Sequence, residues 1–170
     1  MPLVNETSNF DKTYVMSEYL WKFFDPGKMR NIISDMKNMI VESEVEFDAI
    51  ACRGVSGLLI ASPLCVAMNR PLIIVRKGIS GTHSSARVEG YLPSELRYVI
   101  VDDFIETGTT VYTIIRRIRE QYENSKPHRM SARCVGLFLC EASYHYDDYY
   151  DLLYGNFFRK HIHGPMIGLE

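Results

Sequence analysis

One stretch limits the folds open to this chain: Val99-Ile100-Val101-Asp102-Asp103-Phe104-Ile105-Glu106-Thr107-Gly108-Thr109-Thr110. A β-branched apolar run stops at two carboxylates, and a loop of hydroxyl and glycine residues follows. Val111, Ile114, Ile115, Ile118 and Tyr122 then recur at helical spacing. That order predicts a buried strand, a loop and an amphipathic helix. In open parallel α/β sheets ligands sit beyond the carboxyl ends of strands, so the loop falls where chemistry is usually done.

The loop has the chemistry of a phosphate site. Residues 107–110 offer backbone N–H groups and three hydroxyls at a helix start. Such N–H groups have no partner within the helix, and the helix dipole favours an anion there. Asp102 and Asp103 suit another partner. Ionised carboxylates only accept hydrogen bonds, so they match sugar hydroxyls or a hydrated Mg²⁺. A phosphate site beside a polyol or metal site points to a sugar phosphate.

Composition removes several alternatives. The chain has 170 residues, enough for one domain with a real core. Its formal net charge of −2 argues against a general nucleic-acid binder. No apolar run approaches membrane-spanning length, and the first residues lack the basic-then-apolar pattern of a signal peptide. Cys52, Cys65, Cys134 and Cys140 lie in apolar segments without metal-ligand spacing and read as reduced core residues of a cytoplasmic protein. Neither a G-x-G-x-x-G nor a G-x-x-x-x-G-K-[ST] pattern is present, which argues against a dinucleotide oxidoreductase and a P-loop nucleotidase.

Along the chain, residues 14–24 are aromatic-rich and predicted helical. Asp25-Pro26 is a helix opening, with Asp as N-cap and Pro in the first turn. Met29, Ile32, Ile33, Met36 and Ile40 follow at helical spacing. Residues 47–52 predict a short buried strand, then a glycine-rich turn, Arg53-Gly54-Val55-Ser56-Gly57, then an apolar segment in which Pro63 is expected to bend any helix. In that turn Gly54 and Gly57 would let backbone N–H groups approach an anion, and Arg53 adds a fixed positive charge. Residues 71–75 predict a strand ending in Arg76-Lys77. Residues 78–94 are polar and aperiodic, as functional loops are. Residues 132–140 predict another buried strand. In the tail Tyr144, Tyr146, Tyr149, Tyr150, Tyr154, Phe157 and Phe158 crowd together. Packing on the sheet or on a second subunit is the favoured reading, with base stacking the alternative. His161 and His163 have a chelating spacing but no third ligand type nearby.

The stretch 99–110 resembles the PRPP-binding signature of the type I phosphoribosyltransferases (PRPP is 5-phosphoribosyl 1-diphosphate). Arg53-Gly54 resembles that family's pyrophosphate loop, and Val75-Arg76-Lys77 resembles a segment of its adenine and orotate members. The resemblance implies an α/β fold with a parallel sheet flanked by helices, in one domain spanning residues 1–170. Its core would lie at about 26–140, with hood elements from 1–25 and 141–170 and a mobile loop at 78–94. It implies that Asp102 and Asp103 hold the ribose hydroxyls, that Thr107, Gly108, Thr109 and Thr110 hold the 5′-phosphate, and that Arg53, Gly54 and Arg76 or Lys77 act on the pyrophosphate. Mg²⁺ would be held mainly by PRPP, with the two aspartates reaching it through water. Glu106 stands where purine-salvage members often carry an acid, and is either the base for the attacking nitrogen or a surface glutamate. Orotate enzymes carry a further lysine and a His-Gly in the loop where this chain has Ser80 and His83-Ser84, so the expected acceptor is a purine rather than orotate. The expected activity is ribosylation of a nucleobase with release of pyrophosphate, in a possible homodimer. The alternative is a PRPP-binding regulator without turnover.

Overall fold

A computed structural model describes residues 20–78, 86–105, 108–124 and 131–140, and the backbone of residues 162–163. The elements run α1 (Trp21–Phe24), α2 (Pro26–Glu42), β1 (Ala49–Arg53), α3 (Gly54–Met68), β2 (Leu72–Val75), β3 (Val88–Gly90), β4 (Glu95–Asp102), α4 (Thr109–Glu123), β5 (Ser131–Leu139) and β6 (Ile162–His163). The strands form one mixed sheet in the order β3-β2-β1-β4-β5-β6. Among the described strands only β3 runs antiparallel to its neighbour, as the returning arm of a hairpin with β2 that pairs Val75 with Val88 and Ile73 with Gly90.

Both faces of the sheet are covered, which is why its central strands read as unbroken apolar runs rather than alternating ones. Ala49, Ala51, Ile73, Tyr98 and Ile100 face α4, whose Val111, Ile114, Ile115, Ile118 and Tyr122 form the buried stripe that the 3.6-residue spacing predicted. Ile50, Cys52, Val99, Val101 and Phe138 face the layer made by α1, α2 and α3. Each isoleucine or valine withdrawn from water in this way contributes about 1.5–3 kcal/mol. The Tyr122 hydroxyl donates to the Pro93 carbonyl at 2.6 Å, which satisfies its one polar atom and pins the end of α4 beside the start of β4. The four cysteines are free, and three are buried. Burial pushes the Cys52 and Cys134 thiols up to about 12, so they stay protonated and serve as packing groups.

α2 opens as the sequence predicts: Asp25 Oδ1 accepts from the Lys28 N–H at 2.8 Å, with Pro26 in the first turn. α3 departs from expectation at its start: it begins at Gly54 directly after the strand, with no intervening loop, and it runs through Pro63 to Met68. A helix that is apolar on every side shows no periodicity to mark its start. Pro63 removes one hydrogen bond, but Ile60, Ala61, Leu64 and Cys65 bury on both sides of it and hold the segment helical. Of the N-terminal aromatic stretch, the described part is helical at Trp21–Phe24, and residues 14–19 lie outside the described residues.

At Gly90 the sequence has no freedom. Its φ is +131°, and a Cβ there would collide with the Leu72 carbonyl. Gly90→Ala is therefore expected to destabilise the protein by about 2–3 kcal/mol through backbone strain, lowering the thermal midpoint by about 4–12 °C. Gly78→Ala, where nothing lies within 4 Å of the new methyl, is the control. It should shift stability by less than about 0.5 kcal/mol. Equal midpoints for the two variants in a thermal melt would contradict this account.

Candidate functional site

The strand order fixes where a ligand can sit. From β1 the chain crosses through α3 to β2 on one side, and from β4 it crosses through α4 to β5 on the other. The two connections diverge between adjacent strands β1 and β4, which opens a crevice beyond their carboxyl ends. Arg53 ends β1 and Asp102 ends β4. The crevice holds a cavity of about 190 Å³, lined among others by Arg53, Ser56, Lys77, Asp102, Asp103 and Gly108. Thr109 and Thr110, in the first turn of α4, complete its far wall.

Two helices open onto this cavity, and neither is closed by a capping side chain. α3 has Arg53 as N-cap and α4 has Gly108, with φ +73°, and in both the side-chain cap hydrogen bond is missing. α2, which takes no part in the cavity, has its Asp25 cap. The first N–H groups of a helix need partners. No side chain of the cap residue occupies either end, and the dipoles of both helices favour anions.

The acids lie between these two positive ends. Asp102 and Asp103 are 4% and 5% exposed, the only charged residues buried to that extent among the described residues. The Asp103 N–H donates to Asp102 Oδ1 at 3.1 Å, and the Phe104 N–H donates to Asp103 Oδ1 at 3.0 Å. Burial, and next the Asp103 carboxylate, push Asp102 up to about 8; the Asp103 N–H and the Lys77 charge oppose the rise. Gly57 explains how α3 comes so near. A Cβ at that position would stand 3.3 Å from Asp102 Oδ1 and 3.5 Å from the Val101 carbonyl. Gly57 is thus a close-packing residue inside the helix rather than part of an anion-binding turn.

The cations lie at the α3 end. Among the described residues no ion pair engages Arg53 or Lys77. Arg53 Nε is buried without a hydrogen-bond partner. Burial, then the charge of Arg117, lower the Arg53 pKa, and the charge of Asp102 opposes this. Gly54 has φ +78°, which favours glycine, and the far end of Lys77 lies against it: a Cβ there would lie 2.5 Å from Lys77 Cε and 2.9 Å from its Nζ.

The structure therefore brings Arg53, Lys77, Asp102, Asp103, Gly108, Thr109 and Thr110 into one cavity. Gly54 and Arg76 line a second, more apolar groove on the other side of Lys77, with Val55, Leu58 and Ile74. The Arg76 guanidinium donates to Glu89 Oε1 at 2.8 Å, away from the acids. Ser56 joins the cavity without having been singled out as a site residue. Its signal is a hydroxyl in the first turn of an apolar helix, two residues after Arg53-Gly54. Glu106 and Thr107 lie outside the described residues, as do residues 79–85 of the predicted loop, residues 1–19 and the aromatic tail at 141–161. Of the His161 and His163 pair, the backbone of His163 is described, in β6. Among the described residues no group of three metal-ligating side chains occurs, and no helix is long and apolar enough to cross a membrane.

No family model matches the chain. It is 34% identical over 104 residues to orotate phosphoribosyltransferase of Archaeoglobus fulgidus, a match that covers 55% of this chain and 56% of that protein. It is 30% identical over 112 residues to adenine phosphoribosyltransferase of Ureaplasma parvum, covering 58% and 64%. Orotate phosphoribosyltransferase of Rhizobium rhizogenes is 26% identical over 101 residues, covering 58% and 44%. The chain spans about half the length of the curated relatives it matches. Among solved structures, orotate phosphoribosyltransferase from Aeropyrum pernix superposes with a TM-score of 0.65 at 19% identity, covering 91% of this chain and 78% of that one. Adenine phosphoribosyltransferase from Thermoanaerobacter pseudethanolicus gives 0.60 at 16% identity, covering 96% and 95%. At those identities the structural likeness is one of fold.

Proposed function

From the premise that this chain belongs, by fold and by sequence, to the type I phosphoribosyltransferases, we propose that it transfers the 5-phosphoribosyl group of PRPP to a ring nitrogen of a nucleobase. One observation carries the reading: two uncapped helix N-termini face one crevice, with a buried pair of acids between them. The complementary ligand is anionic at both ends and hydroxylated in the middle, which describes PRPP. Its 5′-phosphate lies at the start of α4 on Gly108, Thr109 and Thr110, continuing to Thr107. The ribose hydroxyls donate to Asp102 and Asp103. The diphosphate lies at the start of α3 beside Arg53 and Lys77.

In the reaction the bond from C1 of the ribose to the diphosphate oxygen breaks, and a bond from C1 to the base nitrogen forms. The electron pair of the broken bond leaves with pyrophosphate. C1 becomes cationic on the way, as in glycoside chemistry. The protein's share is orientation of both ends of the donor, worth up to about 7–11 kcal/mol of barrier for well-aligned reactants, and positive charge at the leaving group. Two adjacent carboxylates fit Mg²⁺ as it is commonly bound, through one or two carboxylates and the phosphates of its substrate. Bound there with the donor, the ion would supply further charge neutralisation to the leaving pyrophosphate. Glu106 is the proposed base for the proton of the attacking nitrogen. Glu106→Gln is expected to lower kcat about 10²-fold or more with less than a twofold change in PRPP binding. Unchanged turnover would remove the role.

The acceptor is proposed to be a purine. The relatives, named for orotate and for adenine, support a nucleobase as the class. The purine choice rests on the loop at 79–85, where Ser80 and His83-Ser84 replace the lysine and His-Gly of orotate enzymes. Pyrophosphate release from PRPP and Mg²⁺ with adenine, hypoxanthine, guanine, orotate and nicotinate in turn tests the proposal. Release with a purine only is the expected result. Release with orotate only overturns the acceptor, and PRPP binding without release to any base makes the protein a sensor of the donor.

A further inference from the structure

We propose that Arg117, on α4, is a positioning residue for the donor: it stands behind Arg53, holds that guanidinium toward the crevice by like-charge repulsion, and the repulsion is relieved when the anion binds. The inference rests on the PRPP reading above. The alternation of β1 sets the geometry, since successive side chains of a strand point to opposite faces of the sheet. Ile50 and Cys52 face the layer of α1, α2 and α3, whereas Ala49 and Ala51 face α4. Arg53 is the next residue on the α4 side, and its register partner on β2, Val75, packs in that same cluster. On α4, Arg117 follows Thr110 by seven positions and Ile114 by three, so the three lie on one stripe of the helix. Thr110 lines the crevice and Ile114 is buried against the sheet. Arg117 comes one turn later and does not line the crevice.

The charges around Arg117 do not balance. Its Nη1 donates to Glu120 Oε2 at 2.7 Å, and Arg116 Nη1 donates to Glu120 Oε1 at 3.2 Å. One carboxylate thus serves two guanidiniums, and among the described residues no other ion pair engages either of them. Arg117 therefore keeps a surplus of positive charge. Arg53 has no ion pair to answer it, and its Nε is buried without a partner. Burial, then the Arg117 charge, lower the Arg53 pKa, and the Asp102 charge opposes them; lowering is the direction that a like charge imposes. The bond to Glu120 and a side chain only 24% exposed hold Arg117 in place. The repulsion is then relieved when Arg53 meets an anion. A diphosphate that neutralises Arg53 removes a cost carried by the free protein, and that difference adds to its affinity.

The test is a double-mutant cycle on wild type, Arg117→Gln, Arg53→Ala and the double variant, read by calorimetric titration with Mg²⁺ and PRPP or ribose 5-phosphate. Arg117→Gln is expected to weaken PRPP about 3- to 10-fold, within the range of coupling inside one charge network. Ribose 5-phosphate, which lacks the diphosphate, should change by less than about twofold. In the Arg53→Ala background the same substitution should change PRPP affinity by less than about 1.5-fold, because the group it acts through is gone. Arg117→Lys keeps the charge and should keep most of the affinity. The thermal midpoint of ligand-free Arg117→Gln should fall by less than about 2 °C, since loss of a partly exposed ion pair is offset by loss of the repulsion. Undiminished PRPP affinity in Arg117→Gln, an equal loss with and without Arg53, an equal loss on ribose 5-phosphate, or a loss that Arg117→Lys shares in full overturns the role of Arg117 and leaves the PRPP reading standing. A larger fall in the midpoint makes Arg117 a structural residue and overturns the role as well. Wild-type protein that binds neither ligand overturns the PRPP reading, and this inference with it.

Discussion

Replacing Asp102 by asparagine is expected to stabilise the ligand-free protein while removing most of its affinity for PRPP. The carboxyl is 4% exposed, and burial together with Asp103 raises its pKa to about 8. In the unfolded chain an aspartate titrates near 3.9. Between about pH 4 and pH 8 the folded protein therefore keeps a proton that the unfolded chain has released. Stability falls as pH rises through that window, is highest below it, and above it the full cost of a buried charge is present. Asparagine keeps an oxygen for the Asp103 N–H and carries no charge. At pH 8.5 the variant should melt about 4–8 °C higher, corresponding to about 2 kcal/mol. At pH 4 the two proteins should melt alike. At pH 8.5 the same change deprives a ribose hydroxyl of a charged acceptor, worth about 10- to 100-fold in affinity. Combined with Asp103→Asn the loss should exceed about 10³-fold. Melts across pH 4–9 and titration with PRPP and Mg²⁺ measure both halves. An asparagine variant that melts lower at pH 8.5 contradicts the electrostatics, and one that binds PRPP undiminished contradicts the site.

That opposition between stability and binding bears on what could be read from the sequence. The strand, acid pair and helix at 99–123 were readable because each rule pointed the same way: β-branched residues, then residues that cannot continue a sheet, then an apolar stripe of period 3.6 whose five members are all buried. The Asp25-Pro26 helix start was readable for a similar reason, since cap and proline act locally. The region after β1 was misread as a turn because glycine was taken as punctuation. Gly54 is required by its own backbone, with φ +78°, and Gly57 by the approach of α3 to Asp102, a tertiary contact that is not visible in local sequence. The pair Arg76-Lys77 could not be divided for the same reason. Arg76 continues the β2–β3 ladder, its N–H donating to the Arg87 carbonyl at 3.0 Å, and its side chain goes to Glu89 across the hairpin. Only the fold sends Lys77 the other way.

The separation of those two cations leads to the second large effect. The double variant Arg53→Ala/Lys77→Ala is expected to lose about 10³-fold or more in PRPP affinity, at about 10- to 150-fold for each charge-assisted contact. Ribose 5-phosphate, which lacks the diphosphate, should bind within about threefold of wild type. Arg76→Ala should bind both ligands about as wild type does and lose less than about 1 kcal/mol of stability, because its ion pair with Glu89 is partly exposed to water. Arg53 is also expected to be dispensable for folding. Its Nε is buried without a partner, and Arg117 repels it, so truncation removes an unsatisfied donor and a like-charge contact instead of breaking a bond. A residue costly to the free protein and indispensable with ligand is one whose partner arrives from outside, and polar groups without an internal partner concentrate at such sites. Titrations at two salt concentrations sharpen the measurement, since the wild-type preference for PRPP over ribose 5-phosphate should shrink as salt rises while that of the double variant stays flat. If Arg76→Ala abolishes binding and Arg53→Ala/Lys77→Ala spares it, the diphosphate lies in the apolar groove and the crevice between β1 and β4 holds something else.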